Sequence, residues 1–199
     1  MAEQTTRHGP ARLGPLAALA LPAGSGDTVT LAATGWRARV NLRCDADRAA
    51  SVPAVTDALG VSLPQTPNTW TGDDQLAAVW LGPDEWLITG EDGRGADLEQ
   101  ALRNALHDDP RASACDVSHN YTGLLLAGPA ARTVLAKGCP LDLHRAGFRP
   151  GHAAQSVLAG TRVLLLCGGD EDSFELLVRN SFARYAAAWL QDAMAEFNR

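Results

Sequence analysis

The first half of the chain alternates between the periods of strands and helices. Residues 36–43 alternate apolar and polar side chains with a period of two, which predicts a strand with one buried face. The next segment has a helical period and predicts a helix that Asp47 caps and Gly60 ends. The buried face of this helix is expected to carry Val52, Val55 and Leu59.

A hairpin is predicted next. Two apolar runs, residues 75–81 and 86–89, flank a Gly-Pro-Asp-Glu turn at residues 82–85. Proline favours the second position of such a turn because its ring presets φ, so the runs are expected to pair as antiparallel strands. Residues 62–74, which precede the hairpin, are polar and contain two prolines, and they predict a loop.

A second helix and a further strand complete this half. Asp97 and Gln100 resemble a capping box, and residues 113–117 predict a short strand. The order strand, helix, strand, strand, helix, strand is typical of a ferredoxin-like split βαβ unit. The apolar stripe of the second helix is expected to be formed by Leu98, Leu102 and Leu106.

The second half repeats a similar mixture of elements. Residues 122–127 predict a strand, and Gly128-Pro129 leads into a helix that ends near Lys137. Residues 155–159 and 162–167 predict a hairpin, and residues 174–178 predict another strand. The apolar face of the final helix is expected to carry Phe182, Tyr185, Ala186, Trp189, Leu190, Ala193 and Phe197.

The predicted fold class is therefore α+β, with two tandem ferredoxin-like split βαβ units. Residues 1–30 are rich in Ala, Gly and Pro without periodicity and predict an extended N-terminal arm. The first unit is assigned to residues 31–118 and the second to residues 119–199, and one continuous domain is the alternative.

Composition narrows the choice of partners and compartment. The 199 residues carry a net charge of −6 with 17 scattered basic residues, which argues against nucleic acid and against an anionic membrane surface. No apolar run approaches the roughly 20 residues of a membrane span. Gly14 and Pro15 interrupt the N-terminal apolar run, which disfavours a secretory signal. The four cysteines lack metal-ligand spacing, so we expect buried free thiols, no metal, and a cytoplasmic location.

Candidate catalytic clusters are weak. Asp84 and Glu85 are adjacent in a tight turn, where carboxylates are normally solvated and keep ordinary pKa values. Asp116, Ser118 and His119 include the residue types of a catalytic triad, but neighbours in one strand face opposite sides. The glycine-rich loops lack phosphate-loop spacing. We therefore predict no catalytic, cofactor-binding or metal-binding residue on this chain.

Aromatic side chains are the remaining candidates for function, because aromatics are enriched at protein interfaces. Each could equally belong to the core. The predicted partner-contact residues are Trp36, Trp70, Trp80 and Trp86.

Several motifs together resemble the gamma subunit of heterotetrameric sarcosine oxidase. They occur in the family's order and with similar spacing, from about residue 12 to residue 197, and the set is more specific than any one of its members. The motifs occupy residues 41–43, 62–64, 80–87, 116–120, 138–143 and 179–185.

The second half also resembles, more distantly, the folate-binding fold of the glycine-cleavage T-protein. The corresponding segments are residues 116–119, 128–131 and 178–181. The aminomethyltransferases carry an essential carboxylate just beyond the turn of the hairpin, whereas residues 160–166 of this chain contain no acid. The resemblance therefore implies the fold without one-carbon transfer.

The first resemblance implies a non-catalytic subunit that docks chiefly on the alpha subunit, with beta and delta subunits in the same complex. FAD, FMN, NAD and tetrahydrofolate would then reside on other subunits. Such a complex oxidises sarcosine with oxygen to glycine and peroxide, and passes the carbon to tetrahydrofolate. Two alternatives remain. One is a stand-alone folate-dependent aminomethyltransferase, which would need Asn180 and a carboxylate to hold a pterin, and the other is an unrelated scaffold protein of the same fold.

Overall fold

The computed structural model describes residues 12–19, 21, 28–47 and 50–197. The N-terminal arm predicted over residues 1–30 lies largely outside this part of the chain. The elements in chain order are β1 (Thr30–Ala33), β2 (Arg37–Arg43), α1 (Ser51–Leu59), β3 (Trp70–Gly72), β4 (Leu76–Gly82), β5 (Glu85–Glu91), α2 (Gly95–Ala105), β6 (Ser113–Asp116), β7 (Tyr121–Ala127), α3 (Ala131–Ala136), β8 (Ala153–Leu158), β9 (Thr161–Cys167), β10 (Ser173–Arg179) and α4 (Ala183–Met194).

The first sheet has the strand order β3-β4-β5-β2-β6, and all its pairs are antiparallel. Strands β2 and β4 are therefore parallel to each other with β5 between them, which is the split βαβ arrangement predicted for this half. The predicted hairpin is confirmed as β4 and β5, with Trp80 directly opposite Trp86.

The second sheet has the order β1-β7-β10-β9-β8, also entirely antiparallel. Here α3 joins β7 to β8, which run in opposite directions, so this half does not repeat the split βαβ order of the first. In addition, α4 follows β10, so no helix lies between β9 and β10 as the split βαβ order would require. The α+β class is confirmed with two antiparallel sheets, and the second sheet has its own topology.

Three apolar clusters hold the layers together. One lies between α1, α2 and the first sheet, and a second lies between α3, α4 and the second sheet. The third joins the facing surfaces of the two sheets, so the layers follow the order helices, sheet, sheet, helices. This third cluster contains Val79, Leu87, Ala153, Leu164, Leu166 and Leu177.

Polar contacts also cross between the sheets. The indole Nε1 of Trp70 donates to the Cys167 carbonyl at 2.9 Å, and Gln155 Nε2 donates to the Leu81 carbonyl at 2.9 Å. Strand β1 belongs to the second sheet although it precedes β2 in the chain. The assignment of residues 31–118 and 119–199 to separate units stays a prediction, and its first unit includes a strand of the second sheet.

Both predicted helix caps are wrong. Helix α1 begins at Ser51 without a side-chain cap, so Asp47 lies in the turn before it, although Gly60 ends the helix with a φ of 74° as expected. Helix α2 also lacks a side-chain cap from its own first residues. Instead, the carboxylate of Asp116 lies against Gly95, where a Cβ would sit 2.3 Å from Asp116 Oδ2. A negative charge at the N-terminal end of a helix is stabilising, because the first backbone N–H groups of the helix have no partners within it.

The predicted loop over residues 62–74 also needs correction, because it contains β3 at the edge of the first sheet. Across the described ranges, no helix has the length and apolar content that crossing a bilayer requires.

Candidate functional site

The Asp84–Glu85 turn is used by the neighbouring strand. Arg43 Nη2 lies 2.7 Å from Glu85 Oε2, and its Nη1 lies 3.6 Å from Asp84 Oδ2. Asn41 Nδ2 donates to the other Glu85 oxygen at 2.8 Å. Two side chains of β2 therefore engage these carboxylates, and the contacts fasten the hairpin turn to the sheet.

The hairpin tryptophans differ in their environments. Trp86 is fully buried in the first core, and its Nε1 donates to the Pro64 carbonyl at 2.9 Å. The prediction that Trp86 contacts a partner is therefore wrong, because its ring lies between the first sheet and helices α1 and α2. Trp80 packs against the same core but keeps part of its ring accessible.

The other two tryptophans are also partly accessible. Trp70 packs into the cluster between the sheets. Trp36 lies just before β2, where the Arg12 guanidinium sits 4.4 Å from its ring centroid and His119 meets it edge-on at 6.4 Å. Trp36, Trp70 and Trp80 therefore stay candidates for partner contact.

The triad-like residues form a turn. Ser118 Oγ donates to Asp116 Oδ1 and accepts from the Arg39 backbone N–H at 2.9 Å. The His119 ring packs against Trp36 instead of approaching the hydroxyl as a base would. The serine hydroxyl therefore connects β6 to β2 and is not arranged as an activated nucleophile.

Asn180, the residue that the enzyme alternative needs for a pterin, is engaged within the fold. Its Oδ1 accepts from Thr122 Oγ1 at 2.7 Å, and its Nδ2 donates to the His119 carbonyl. The amide thus joins the end of β10 to the start of β7. The Gly160 N–H of the nearby hairpin turn donates to the Tyr185 hydroxyl at 3.0 Å.

Arg39 and Glu175 form a polar pair on the facing surfaces of the two sheets. Arg39 Nη2 lies 3.8 Å from Glu175 Oε1, and the arginine side chain is only 3% exposed. Burial lowers the pKa of Arg39 from its usual range, partly offset by the nearby Glu175 charge. Burial likewise raises the pKa of Glu175, and Arg39 and Arg37 oppose that rise.

Sequence reasoning missed this pair. The alternation in residues 36–43 marked Arg37 and Arg39 as polar side chains of a solvent-facing surface. In the structure the second sheet covers that surface, so Arg39 is buried. The only local signal is the run of basic side chains on one face of a strand, which does not distinguish a covered face from an open one.

A cleft of about 530 Å³ opens beside Arg39. Its walls are mostly apolar and come from β1, from the start of β7 and from the N-terminal segment, which is defined as residues 14–17, 19 and 21. Its lining residues include Leu16, Leu19, Leu31, Trp36, Arg39 and Tyr121.

The cysteines are free thiols. Cys44, Cys139 and Cys167 are buried as expected, and burial raises the pKa of Cys44 to about 11. Cys115 is exposed, which corrects the expectation for that residue, because its strand β6 forms an open edge of the first sheet. In the parts of the chain that the structure describes, no group of three or more His, Cys, Asp or Glu residues could hold a metal.

Two facing sheets with helices outside define an α+β fold that resembles the aminomethyltransferase fold. The glycine-cleavage aminomethyltransferase T of Bartonella henselae matches 82% of the chain and 45% of its own length with a TM-score of 0.56 and 15% identity, which supports the fold alone.

The chain belongs to the family described as "Sarcosine oxidase, gamma subunit family", whose sequence model matches residues 43–196. The curated sarcosine oxidase subunit gamma of Corynebacterium sp. strain P-1 is 42% identical over 145 residues, covering 72% of the chain and 70% of the relative. Its counterpart from strain U-96 is 41% identical over 146 residues, covering 73% and 69%.

A solved structure agrees with this assignment. A chain of the heterotetrameric sarcosine oxidase from Corynebacterium sp. U-96, in complex with pyrrole 2-carboxylate, matches with a TM-score of 0.85 and 35% identity. The match covers 94% of this chain and 97% of that one. The family predicted from the motif set is confirmed.

Proposed function

We propose that this chain is a non-catalytic gamma subunit that docks chiefly on the alpha subunit of a heterotetrameric sarcosine oxidase, together with beta and delta subunits. The observation that carries the proposal is the match over 94% of the chain to a chain of such a heterotetramer. The assembled enzyme converts sarcosine, oxygen and tetrahydrofolate to glycine, hydrogen peroxide and methylenetetrahydrofolate. FAD, FMN, NAD and tetrahydrofolate are assigned to the other subunits.

The state of the polar side chains supports a structural role. The carboxylates of the β4–β5 turn, the Ser118 hydroxyl and the Asn180 amide all make contacts within the fold. Their role is to hold strands and turns in place. Reactivity would then reside on the partners, and this chain would supply surface.

The partner surface is proposed to include Trp36, Trp70 and Trp80, which are only partly buried. Large exposed apolar side chains add to it, because obligate interfaces are apolar and bury on the order of 2,000 Å² or more. The exposed members among the described residues are Leu13, Leu125, Val157, Phe182 and Tyr185.

The test is a pull-down of the tagged chain from cells that co-express the four subunits, followed by mass measurement of the bound chains. We expect alpha, beta and delta chains to be recovered. The chain expressed alone should be colourless and should not turn over sarcosine, whereas a yellow and active single chain would contradict the proposal. Recovery of different large partners would favour the unrelated scaffold.

The enzyme alternative is a stand-alone folate-dependent aminomethyltransferase. It is not favoured, because the family assignment points to the subunit and because Asn180 is engaged by Thr122 and His119. Titration of the isolated chain with tetrahydrofolate discriminates the two. A Kd below about 100 µM would favour the enzyme alternative.

We place the chain in the cytoplasm because its cysteines are free thiols.

A further inference from the structure

The guanidinium of Arg39 is poorly satisfied for a buried cation. Its Nε is buried and, among the described residues, makes no hydrogen bond. Its Nη1 reaches the Tyr121 carbonyl at 3.4 Å, and its Nη2 reaches Glu175 at 3.8 Å. Charged N–H donors normally sit about 2.7–2.9 Å from their acceptors. Both contacts are long, so a fork that can make five hydrogen bonds makes only weak ones.

Glu175 does not compensate for this deficit. Its side chain is 33% exposed, and it also accepts a long hydrogen bond of 3.5 Å from Thr34 Oγ1. Burial raises the pKa of Glu175, which disfavours the negative charge that Arg39 needs. A buried guanidinium without a strong anion is costly, and a second acceptor would stabilise it.

The adjoining cleft has the size and lining of a small-molecule site. Such sites usually enclose about 300–1,000 Å³ and combine apolar walls with a few placed polar groups. This cleft encloses about 530 Å³, with leucines of the N-terminal segment and β1 on one side. The flat side chains of Trp36 and Tyr121 line it beside Arg39.

We propose that this cleft binds a small planar organic acid, with the acid's carboxylate on the Arg39 guanidinium and its ring against the apolar and aromatic walls. A guanidinium fork matches a carboxylate with two parallel hydrogen bonds, which explains the choice of an acid over a neutral ligand. The flat walls favour a ring over a branched chain. The site binds without chemistry, since none of the described side chains that line it is arranged as a nucleophile with its base.

This proposal is tested separately from the subunit assignment, although Trp36 belongs both to the cleft and to the proposed partner surface. It concerns a ligand held by this chain alone, whereas the proposed function concerns what the chain docks on. A chain that recovers its partners but binds no acid would overturn only the inference.

The test uses the full-length chain with benzoate and 2-naphthoate as probes and 2-naphthalenemethanol as the neutral control. Binding is measured by saturation-transfer NMR and by Trp fluorescence. We expect at least one carboxylate probe to bind, and the alcohol to bind at least about tenfold more weakly, because a hydrogen-bonded charge contributes about that factor. Absence of binding by both carboxylates overturns the proposal.

The variant Arg39→Met removes the guanidinium and keeps an apolar stem. We expect it to weaken carboxylate binding at least about tenfold. The matched control is Arg43→Met, because Arg43 lies in the same strand and on the same face but outside the cleft. Arg43→Met should bind the probes as the unmodified chain does.

A second variant tests the same cleft in case Arg39→Met does not fold. Gly35 lines the cleft, and a Cβ added there would meet no atom within 4 Å. Gly35→Leu should therefore fold normally, and the side chain that it adds at the cleft wall should weaken probe binding. Circular dichroism checks the fold. Undiminished binding in both a folded Gly35→Leu and Arg39→Met would show that the probes bind elsewhere and would overturn the proposal.

Discussion

At the scale of single residues, burial decides what the polar side chains do. Arg39 and Glu175 lie on facing sheet surfaces. Burial lowers the pKa of Arg39 and raises the pKa of Glu175, and both shifts favour the neutral form of the side chain. Asp84, by contrast, is 64% exposed and shares Arg43 with Glu85. Residues with similar chemistry therefore act as a buried pair in one place and as a surface turn in another.

The Glu175 carboxyl should make stability depend on pH. Its folded pKa is raised, so the native state binds the proton more tightly, and stability is highest below the unfolded pKa and falls as pH rises through the folded pKa. Arg39, Arg37 and Asp74 are the charged groups that act on it. We expect Glu175→Gln to remove this decline above about pH 4.5, the ordinary range for a glutamate.

Urea unfolding at a series of pH values, compared between the two proteins, measures this effect. Glu171→Gln is the control, because Glu171 is an exposed acid paired with Arg145. Identical pH profiles for Glu175→Gln and the unmodified chain would contradict the prediction.

At the scale of elements, contacts from distant segments decide where helices begin and which strand faces are covered. The helical period located α1 and α2 correctly, but neither predicted cap is used. The carboxylate of Asp116, at the end of β6, occupies the position at the start of α2. A sequence pattern within four residues cannot report such a partner, because it comes from 21 positions further along the chain.

The variant Asp116→Ala should lower the free energy of unfolding by about 1–2 kcal/mol. It removes the anion at the α2 start and the acceptor of the Ser118 hydroxyl and N–H. Chemical denaturation measures the change. Gln100→Ala, at the predicted capping-box position, is the control and should change stability by less than about 0.5 kcal/mol. A larger effect of Gln100→Ala than of Asp116→Ala would contradict this account.

At the scale of the whole molecule, the two sheets are joined by an apolar cluster and by direct hydrogen bonds. Trp70 contributes to both, since its ring packs into the cluster and its Nε1 donates to Cys167 in the other sheet. Because the two sheets are joined in this way, a partner that binds one sheet also fixes the position of the other. This arrangement suits a subunit whose proposed role is to present surface.

The coupling predicts one cooperative unfolding transition for the full chain, with coincident curves from Trp fluorescence and far-ultraviolet circular dichroism. Trp70→Ala should lower the free energy of unfolding by about 3 kcal/mol through lost packing. Trp70→Phe keeps a ring and should lose only about 1 kcal/mol with the hydrogen bond. Two separate transitions in the unmodified chain would instead support independent units at residues 31–118 and 119–199.

Much of the fold was predictable from the sequence. The strands at residues 37–43, 76–82 and 85–91 and the apolar faces of α1 and α2 agree with the predicted periods. The prediction for the final helix is wrong at Phe182 and Tyr185, which are exposed, and right at Ala186, Leu190 and Ala193, which are buried. Strand β3 was missed, because three residues are too few to show an alternation. Of the aromatic candidates, Trp86 was placed at a surface although its ring is buried, because residue type does not distinguish the two faces of a hairpin.

The sequence by itself determined the local elements and the family, because periods of 2.0 and 3.6 residues and ordered motifs are properties of short segments. Only the tertiary structure decided the strand order of the second sheet, the burial of Arg39 and the cleft beside it. Those features depend on which surfaces meet, and that choice is made by the free energy of packing whole sheets and helices together.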